Sequence, residues 1–288
     1  MLGTKSLTKM NKFNEKSHLE GKKRAESAYQ YWVDNGRKNM RKAASTFKTD
    51  PAKLKEYILA KGEILDLFNF NIFSNIDTEE KAYWLGFLYA DGSVAVETNN
   101  IELCLQLSDA KHIEKYRDFL SAKQKIGKDS YRCRISTGHK NFKRDLIKWG
   151  CTPRKSLTVT LPNIDKNLMK HFVRGVFDGD GCISRSCKDC LFNVAAICSG
   201  STVFINQLKE IIYKECGANA HGPYRNSKGS NTFNIFFSNG SFKKFIDWIY
   251  FDSSIYLDRK YQRYLHSIAV LFRDELDDNW TKTVNTEM

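Results

Sequence analysis

One short phrase occurs twice in this chain. WLGFLYADGS (Trp84 to Ser93) and FVRGVFDGDGC (Phe172 to Cys182) share the frame Gly-x-x-x-small-Asp-Gly at a separation of 89 residues. A period near ninety residues is too long for a solenoid and implies two like-folded halves in one chain. The surroundings repeat as well. From Asp77, with Glu80 three residues on in a capping-box pattern, a helix carries the first phrase. A strand, a turn at Asn99-Asn100 and a second strand follow. That second strand alternates Ile101, Leu103, Leu105 and Leu107 on one side with Glu102, Cys104 and Gln106 on the other. A helix over Asp109 to Leu120, two strands ending in ISTG and the helix NFKRDLIKW complete the half. After Pro162 the order replays. The second phrase is followed by a hairpin near Lys188-Asp189, a helix over Thr202 to Cys216, a strand ending in FSNG and the helix starting SFKKFIDW. Even the exits rhyme, Arg154-Lys155 after the first half and Arg259-Lys260 after the second. The expected fold class is α+β: two pseudo-symmetric α-β-β-α-β-β-α halves, 77–161 and 162–288, the second with a C-terminal helix.

Taken as a helix, each phrase places small residues four apart on one face, Gly86 with Ala90 and Gly175 with Gly179, a spacing that lets two helix backbones approach closely. The phrases are therefore expected to pack on each other. Asp91-Gly92 and Asp180-Gly181 then mark the two C-terminal ends. Acids at the negative ends of helix dipoles cost up to about 1 kcal/mol each, and like charges side by side repel. A divalent cation relieves both effects, and paired carboxylates are hard oxygen ligands of the kind Mg²⁺ or Mn²⁺ accepts.

Each half reads as four strands, apolar on one face. The other face is polar, with Arg132, Arg134 and Ser136 in the first half, Asn193, Asn234 and Ser238 in the second, and Lys123 and Lys125 nearby. Such a face either offers side chains at period two to a nucleic-acid groove or is merely solvated. Charge bears on the choice. The chain has 46 Lys and Arg against 33 Asp and Glu, a net +13, which favours polyanions, nucleic acid before membrane. The excess lies at the front, where residues 1–76 hold 15 basic and 8 acidic side chains. In residues 1–64, Ala25 to Val33 and Lys38 to Phe47 look helical. A third helix is capped by Asp50, opened by Pro51 and ended by Gly62. With Lys53 and Lys55 outward, the tight pair fits a DNA-binding helix-turn-helix or a basic hairpin that only packs. Residues 65–76 read as a linker lying on the next domain.

No apolar run reaches the roughly 18 residues a membrane span needs, and Met1 to Glu20 lacks a signal peptide's hydrophobic core, so a cytosolic setting is expected, in a cell, an organelle or a phage host. The eight cysteines suit reduced thiols, with Cys104, Cys133, Cys198 and Cys216 inside apparent strands and helices. Cys187 and Cys190 have the spacing of half a zinc site, with Cys182 and Cys198 as partners, or are free cysteines in a hairpin turn.

From about Asp77 to Leu271 the chain resembles the LAGLIDADG homing endonucleases. The matching positions are Gly86, Ala90, Asp91 and Gly92 in the first motif and Gly175, Gly179, Asp180 and Gly181 in the second. The resemblance implies motif helices at the centre of the molecule, sheets that straddle DNA, and metal at the last acid of each motif. It makes Asp91 and Asp180 the catalytic carboxylates, each chiefly serving one strand, with the Ala90 and Gly179 carbonyls as further ligands. It also implies basic pocket side chains near the last strand of each half, where Lys140 and Lys243 lie. Two motifs imply a monomer acting on a long asymmetric site in double-stranded DNA. Two departures stand out. The sixth motif position is Tyr89 in one copy and Asp178 in the other, read as a helix-surface or pocket-edge acid, and a helix-turn-helix is not part of the core fold. The expected function is a site-specific double-strand DNA endonuclease. A non-cleaving DNA-binding regulator or an intron RNA maturase are the alternatives.

Overall fold

The computed structural model describes residues 4–35, 40–61, 68–186 and 192–268, with side chains from residue 18 onward. The chain divides into two compact units, 1–67 and 68–288.

The first unit holds α1 (Thr4–Asp34), α2 (Met40–Thr46) and α3 (Pro51–Ala60). Its core is small: Ala28, Trp32, Ala43, Ala44, Leu54 and Ile58. Asp50 caps α3 by accepting from the Ala52 N–H at 2.8 Å, and Pro51 occupies the first turn, as the sequence indicates. Lys48 takes a left-handed conformation (φ 49°) that ends α2 and makes the turn into α3 tight. The first helix starts some twenty residues earlier than the apolar pattern from Ala25 suggests. Gly62, expected to stop α3, lies outside the described residues.

In the second unit the first half runs α4 (Glu79–Asp91), β1 (Gly92–Val94), β2 (Asn100–Gln106), α5 (Ala110–Phe119), β3 (Gly127–Lys128), β4 (Arg132–Gly138) and α6 (Lys140–Lys148). The second half repeats the order with α7 (Met169–Asp180), β5 (Gly181–Arg185), β6 (Phe192–Ser199), α8 (Thr202–Cys216), β7 (His221–Arg225), β8 (Phe233–Ser238) and α9 (Asn239–Tyr250). A further helix, α10, covers 258–268. The fold class is α+β, with two four-stranded antiparallel sheets ordered β1-β2-β4-β3 and β5-β6-β8-β7. Among the described residues no helix is long and apolar enough to cross a membrane.

Several local expectations shift. Residues 68–76 belong to the second unit and supply part of its core: Ile72, Phe73 and Ile76 are buried there, and the Trp149 indole N–H donates to the Phe73 carbonyl at 2.7 Å. Leu65 to Leu67 lie outside the described residues. The cap of α4 is Thr78, whose hydroxyl accepts from the Lys81 N–H. Asp77, one residue too early to cap, instead pairs with Lys81 at 2.7 Å. Leu107 leaves the alternation, because β2 stops at Gln106 and Leu107, itself exposed, opens a 3₁₀ turn that ends on the buried Asp109. The hairpin near Lys188-Asp189 and the Cys187/Cys190 pair lie outside the described residues. The six described cysteines are free thiols.

The centre of this unit is the α4–α7 pair. A Cβ added to Gly86 would lie 2.0 Å from the Phe172 carbonyl oxygen, and one added to Gly175 would lie 2.0 Å from that of Tyr83. Each glycine thus lets the other helix's backbone into the space a side chain would fill. Further along, a Cβ on Gly179 would meet Ala90 at 2.3 Å, so the helices run in the same direction and end side by side. Beside them Asp178, the sixth motif residue, is fully buried rather than on a surface. It accepts from the hydroxyls of Tyr83 (2.8 Å) and Tyr250 (2.5 Å) and from the Leu257 N–H (2.7 Å). Tyr83 belongs to the first half and Asp178 to the second, so this acid ties the halves together. The Tyr83 hydroxyl is also 2.9 Å from His112 Nε2. Since Tyr83 gives its proton to Asp178, hydrogen-bond accounting puts the imidazole proton on Nε2. Burial pushes the His112 pKa down to about 3, which keeps the ring neutral.

Candidate active site

The element boundaries place the acids. Asp91 and Asp180 are the last residues of α4 and α7, and Gly92 and Gly181 open the first strand of each sheet. Both sheets therefore start at the paired helix ends. Asp91 is partly exposed and Asp180 exposed as whole residues, while neighbouring protein crowds both carboxyls. Burial, and then the charge of Asp91, pushes the Asp180 carboxyl up to about 6. Burial also raises that of Asp91, against the lowering effect of Lys260, Lys155 and Arg259. The Asp91 carboxyl stands against the end of α7, its Oδ2 3.2 Å from where a Cβ on Gly179 would lie, and its charge acts on Asp180.

The basic groups beside them are not those expected. Lys140 is an exposed residue at the start of α6, and Lys243 lies on α9 paired with Asp247 at 2.8 Å. The cations that act on the acids are Lys155 and Lys260, both buried, with Arg259 adding to the field at Asp91. Lys155 Nζ donates to the Gly92 carbonyl. Lys260 Nζ donates to the carbonyls of Phe177 (2.7 Å), Asp178 (2.7 Å) and Gly179 (3.4 Å), so a cation covers the negative end of α7. Burial brings the Lys260 pKa down to about 8 against the neighbouring acids, which hold it up. Arg259 is anchored on Asp109 at 3.0 Å. These groups were visible in the sequence as the rhyming exits Arg154-Lys155 and Arg259-Lys260.

Two carboxylates with helix-end carbonyls are a hard oxygen set that fits Mg²⁺ or Mn²⁺. Among the described residues no three His, Cys, Asp or Glu side chains gather at one point. Such a cation would be held by Asp91 and Asp180 and would leave most of its shell to other oxygens. The Gly179 carbonyl is already shared with Lys260.

The other expected residues divide by strand parity. Cys133 and Ile135 of β4 point into the core, so Arg132, Arg134 and Ser136 stand on the outer face and are exposed. Asn234 and Ser238 share the outer face of the second sheet, opposite Cys198 and Val194. Asn193 does not. It has the parity of the buried Ala195 and Ile197, lines a cavity with Phe242 and Lys243, and is held by Ser186 at 2.8 Å. A bulge at Ser184/Arg185 obscures that register in the sequence. Lys123 and Lys125 are exposed between α5 and β3; on α3, Lys53 is exposed and Lys55 half-buried. Cys198, on the outer face, is 3.2 Å from the Asp180 carbonyl, and burial and Asp180 push its thiol up to about 11.

The electrostatics have a testable consequence. An acid whose folded pKa is about 6, against an ordinary 3.8, takes up a proton on folding, so its stabilising contribution is complete below about pH 4 and is lost as pH rises through 6. In EDTA, Asp180→Asn should melt like the parent at pH 4 and above it at pH 7, by up to about 1 kcal/mol. Mg²⁺ at pH 7 should stabilise the parent more than the Asp91→Asn, Asp180→Asn protein. A parent-to-variant difference that stays constant from pH 4 to 7 would mean that the carboxyls do not repel.

The chain matches no family model and no curated protein. Among solved structures it is similar to the N-terminal LAGLIDADG domain of DUF199/WhiA, with TM-score 0.42 and 17% identity over 68% of this chain and 97% of that one. It is also similar to full-length DUF199/WhiA from Thermatoga maritima, with TM-score 0.44 and 14% identity over 76% and 74%. A third similarity is to the homing endonuclease I-WcaI bound to its DNA recognition sequence, with TM-score 0.47 and 12% identity over 65% and 87%.

Proposed function

We propose that this chain binds double-stranded DNA across its two sheets and hydrolyses one phosphodiester in each strand at Asp91 and Asp180. One observation carries the reading: two acids from the two halves end adjoining helices, repel each other, and face solvent with buried lysines behind them. A divalent cation bound there would supply Lewis-acid stabilisation of charge on the phosphate. The chain's own part is to hold the two carboxylates in register through the α4–α7 contact and to place Lys155 and Lys260 behind them. Retention of both acids favours hydrolysis over binding alone, since paired negative charge facing phosphates opposes binding unless a cation lies between. The two halves differ in sequence, which fits a single chain acting on an asymmetric site.

The test is incubation of the purified protein with DNA flanking its own gene, and with the same locus lacking the gene, each with and without Mg²⁺. Mg²⁺-dependent cutting of the gene-free locus at one place is expected; binding without scission in Mg²⁺ and in Mn²⁺ would leave only the regulator reading. The first unit is read as a second DNA contact through α3. Lys53→Ala with Lys55→Ala in the full chain should weaken binding and flatten the slope of log affinity against log salt by about 0.9 for each phosphate no longer neutralised. An unchanged slope would remove α3 from the interface.

A further inference from the structure

The outer faces of the two sheets differ in chemistry although their backbones repeat. On the first sheet, pairs of known register put Glu102 beside Ser136, Cys104 beside Arg134 and Gln106 beside Arg132. These are mostly long side chains with hydrogen-bonding heads, and Ser136 donates to Glu102 at 2.9 Å. On the second sheet the corresponding pairs are Val194 with Ser238, Ala196 with Phe236 and Cys198 with Asn234. Tyr224, 57% exposed, stands next to Asn234 on the same face. Among the described residues the outer-face side chains of β5, β6 and β8 carry no charge.

We infer that the two sheets read unlike half-sites: guanine-bearing base pairs under the first sheet, contacted by Arg132 and Arg134, and an A·T-rich stretch under the second, contacted by Asn234 and Phe236. The inference rests on the proposed reading of the chain as a duplex-DNA binder. An arginine fork matches guanine O6 and N7, an Asn amide matches adenine N6 and N7, and small apolar or aromatic side chains fit the thymine methyl. No charged head on the described outer face of β5, β6 and β8 competes for a guanine edge, the exposed His221 of β7 standing beside Phe236 at the sheet's edge, and no apolar pair on the first sheet seeks a methyl.

The experiment is selection of bound sequences from a random duplex library with the full-length protein in EDTA, so that no strand is cut. One half of the recovered motif should be specified by guanines and the other by A·T pairs. Arg134→Ala should relax one guanine position, by roughly 5- to 150-fold in relative affinity, and so identify the first half-site. In duplexes of the recovered sequence, deoxyuridine in place of thymidine should weaken binding about three- to fourfold per contacted methyl in the other half only. 7-Deazaguanine should weaken binding in the first half only. Retention of duplex DNA with a motif of like composition in both halves would overturn the inference and leave DNA binding standing, as would equal deoxyuridine effects in the two halves. Failure to retain any duplex would overturn the DNA-binding reading itself. A uniform loss of affinity over all sequences in Arg134→Ala would show a phosphate contact instead, and would sink the assignment of that residue.

Discussion

Gly175→Ala is expected to lower the melting temperature of the second unit by roughly 6 to 12 °C, from a destabilisation of about 3 kcal/mol. The added methyl would sit 2.0 Å from the Tyr83 carbonyl oxygen and 2.7 Å from the Phe87 nitrogen. Both are backbone atoms of the facing helix, so no rotamer change relieves the clash and the helices must separate. Separation would uncover the apolar side chains that flank the contact and stretch the Tyr83–Asp178 hydrogen bond across the halves. Gly86→Ala should behave alike, since its Cβ would meet the Phe172 carbonyl at the same distance. The double variant should cost less than the sum, because both residues act on one interface. Gly240→Ala is the control: nothing lies within 4 Å of a Cβ at Gly240, in the first turn of α9. Its melting temperature should stay level or rise. Equal melting of Gly175→Ala and Gly240→Ala would mean that α4 and α7 are not in backbone contact.

Much of this arrangement is legible in the doubled phrase, because its information is local and repeated. Small residues four apart with an acid and a glycine at the end specify a close helix pair and its terminus together. The caps and strands of the repeats are also short-range, as Asp50 with Pro51 and the Ile101, Leu103, Leu105 alternation illustrate. What stays hidden depends on partners distant in sequence. Asp178 is buried because Tyr83, Tyr250 and Leu257, 72 to 95 residues away, donate to it, and nothing beside Asp178 in the chain announces them. Asp77 and Thr78 are both cap-type residues, and a shift of one residue decides which of them caps α4. Asn193 is misread for a related reason: one irregularity in pairing reverses which face a strand residue takes. The length of α1 stays hidden because Thr4 to Arg24 is largely polar, with Leu7, Met10, Phe13 and Leu19 too few to mark a continuous apolar stripe. The site lysines are the instructive case. Proximity to the last strand suggests Lys140 and Lys243, whereas the repeat itself marks Lys155 and Lys260 at the matching exits.

The second large effect concerns the acids. Asp91→Asn and Asp180→Asn keep the shape of each side chain and remove one charge, so DNA binding should survive and tighten slightly as repulsion of the phosphates falls. Cleavage should not survive, because each carboxylate is read as serving one strand. A loss of at least a hundredfold in the affected strand is expected, roughly the scale of removing one preorganised charge-stabilising group. Single variants should therefore accumulate nicked circles from a supercoiled plasmid carrying the target, with the nick in opposite strands for the two variants. Strand-resolved cleavage of that plasmid by the parent, both single variants and the double variant, in Mg²⁺ and at matched fractional binding, is the direct measurement. The paired-acid site predicts linear product from the parent, nicked product from each single variant and intact supercoiled plasmid from the double. Linear product from the double variant at the parent's rate would contradict it.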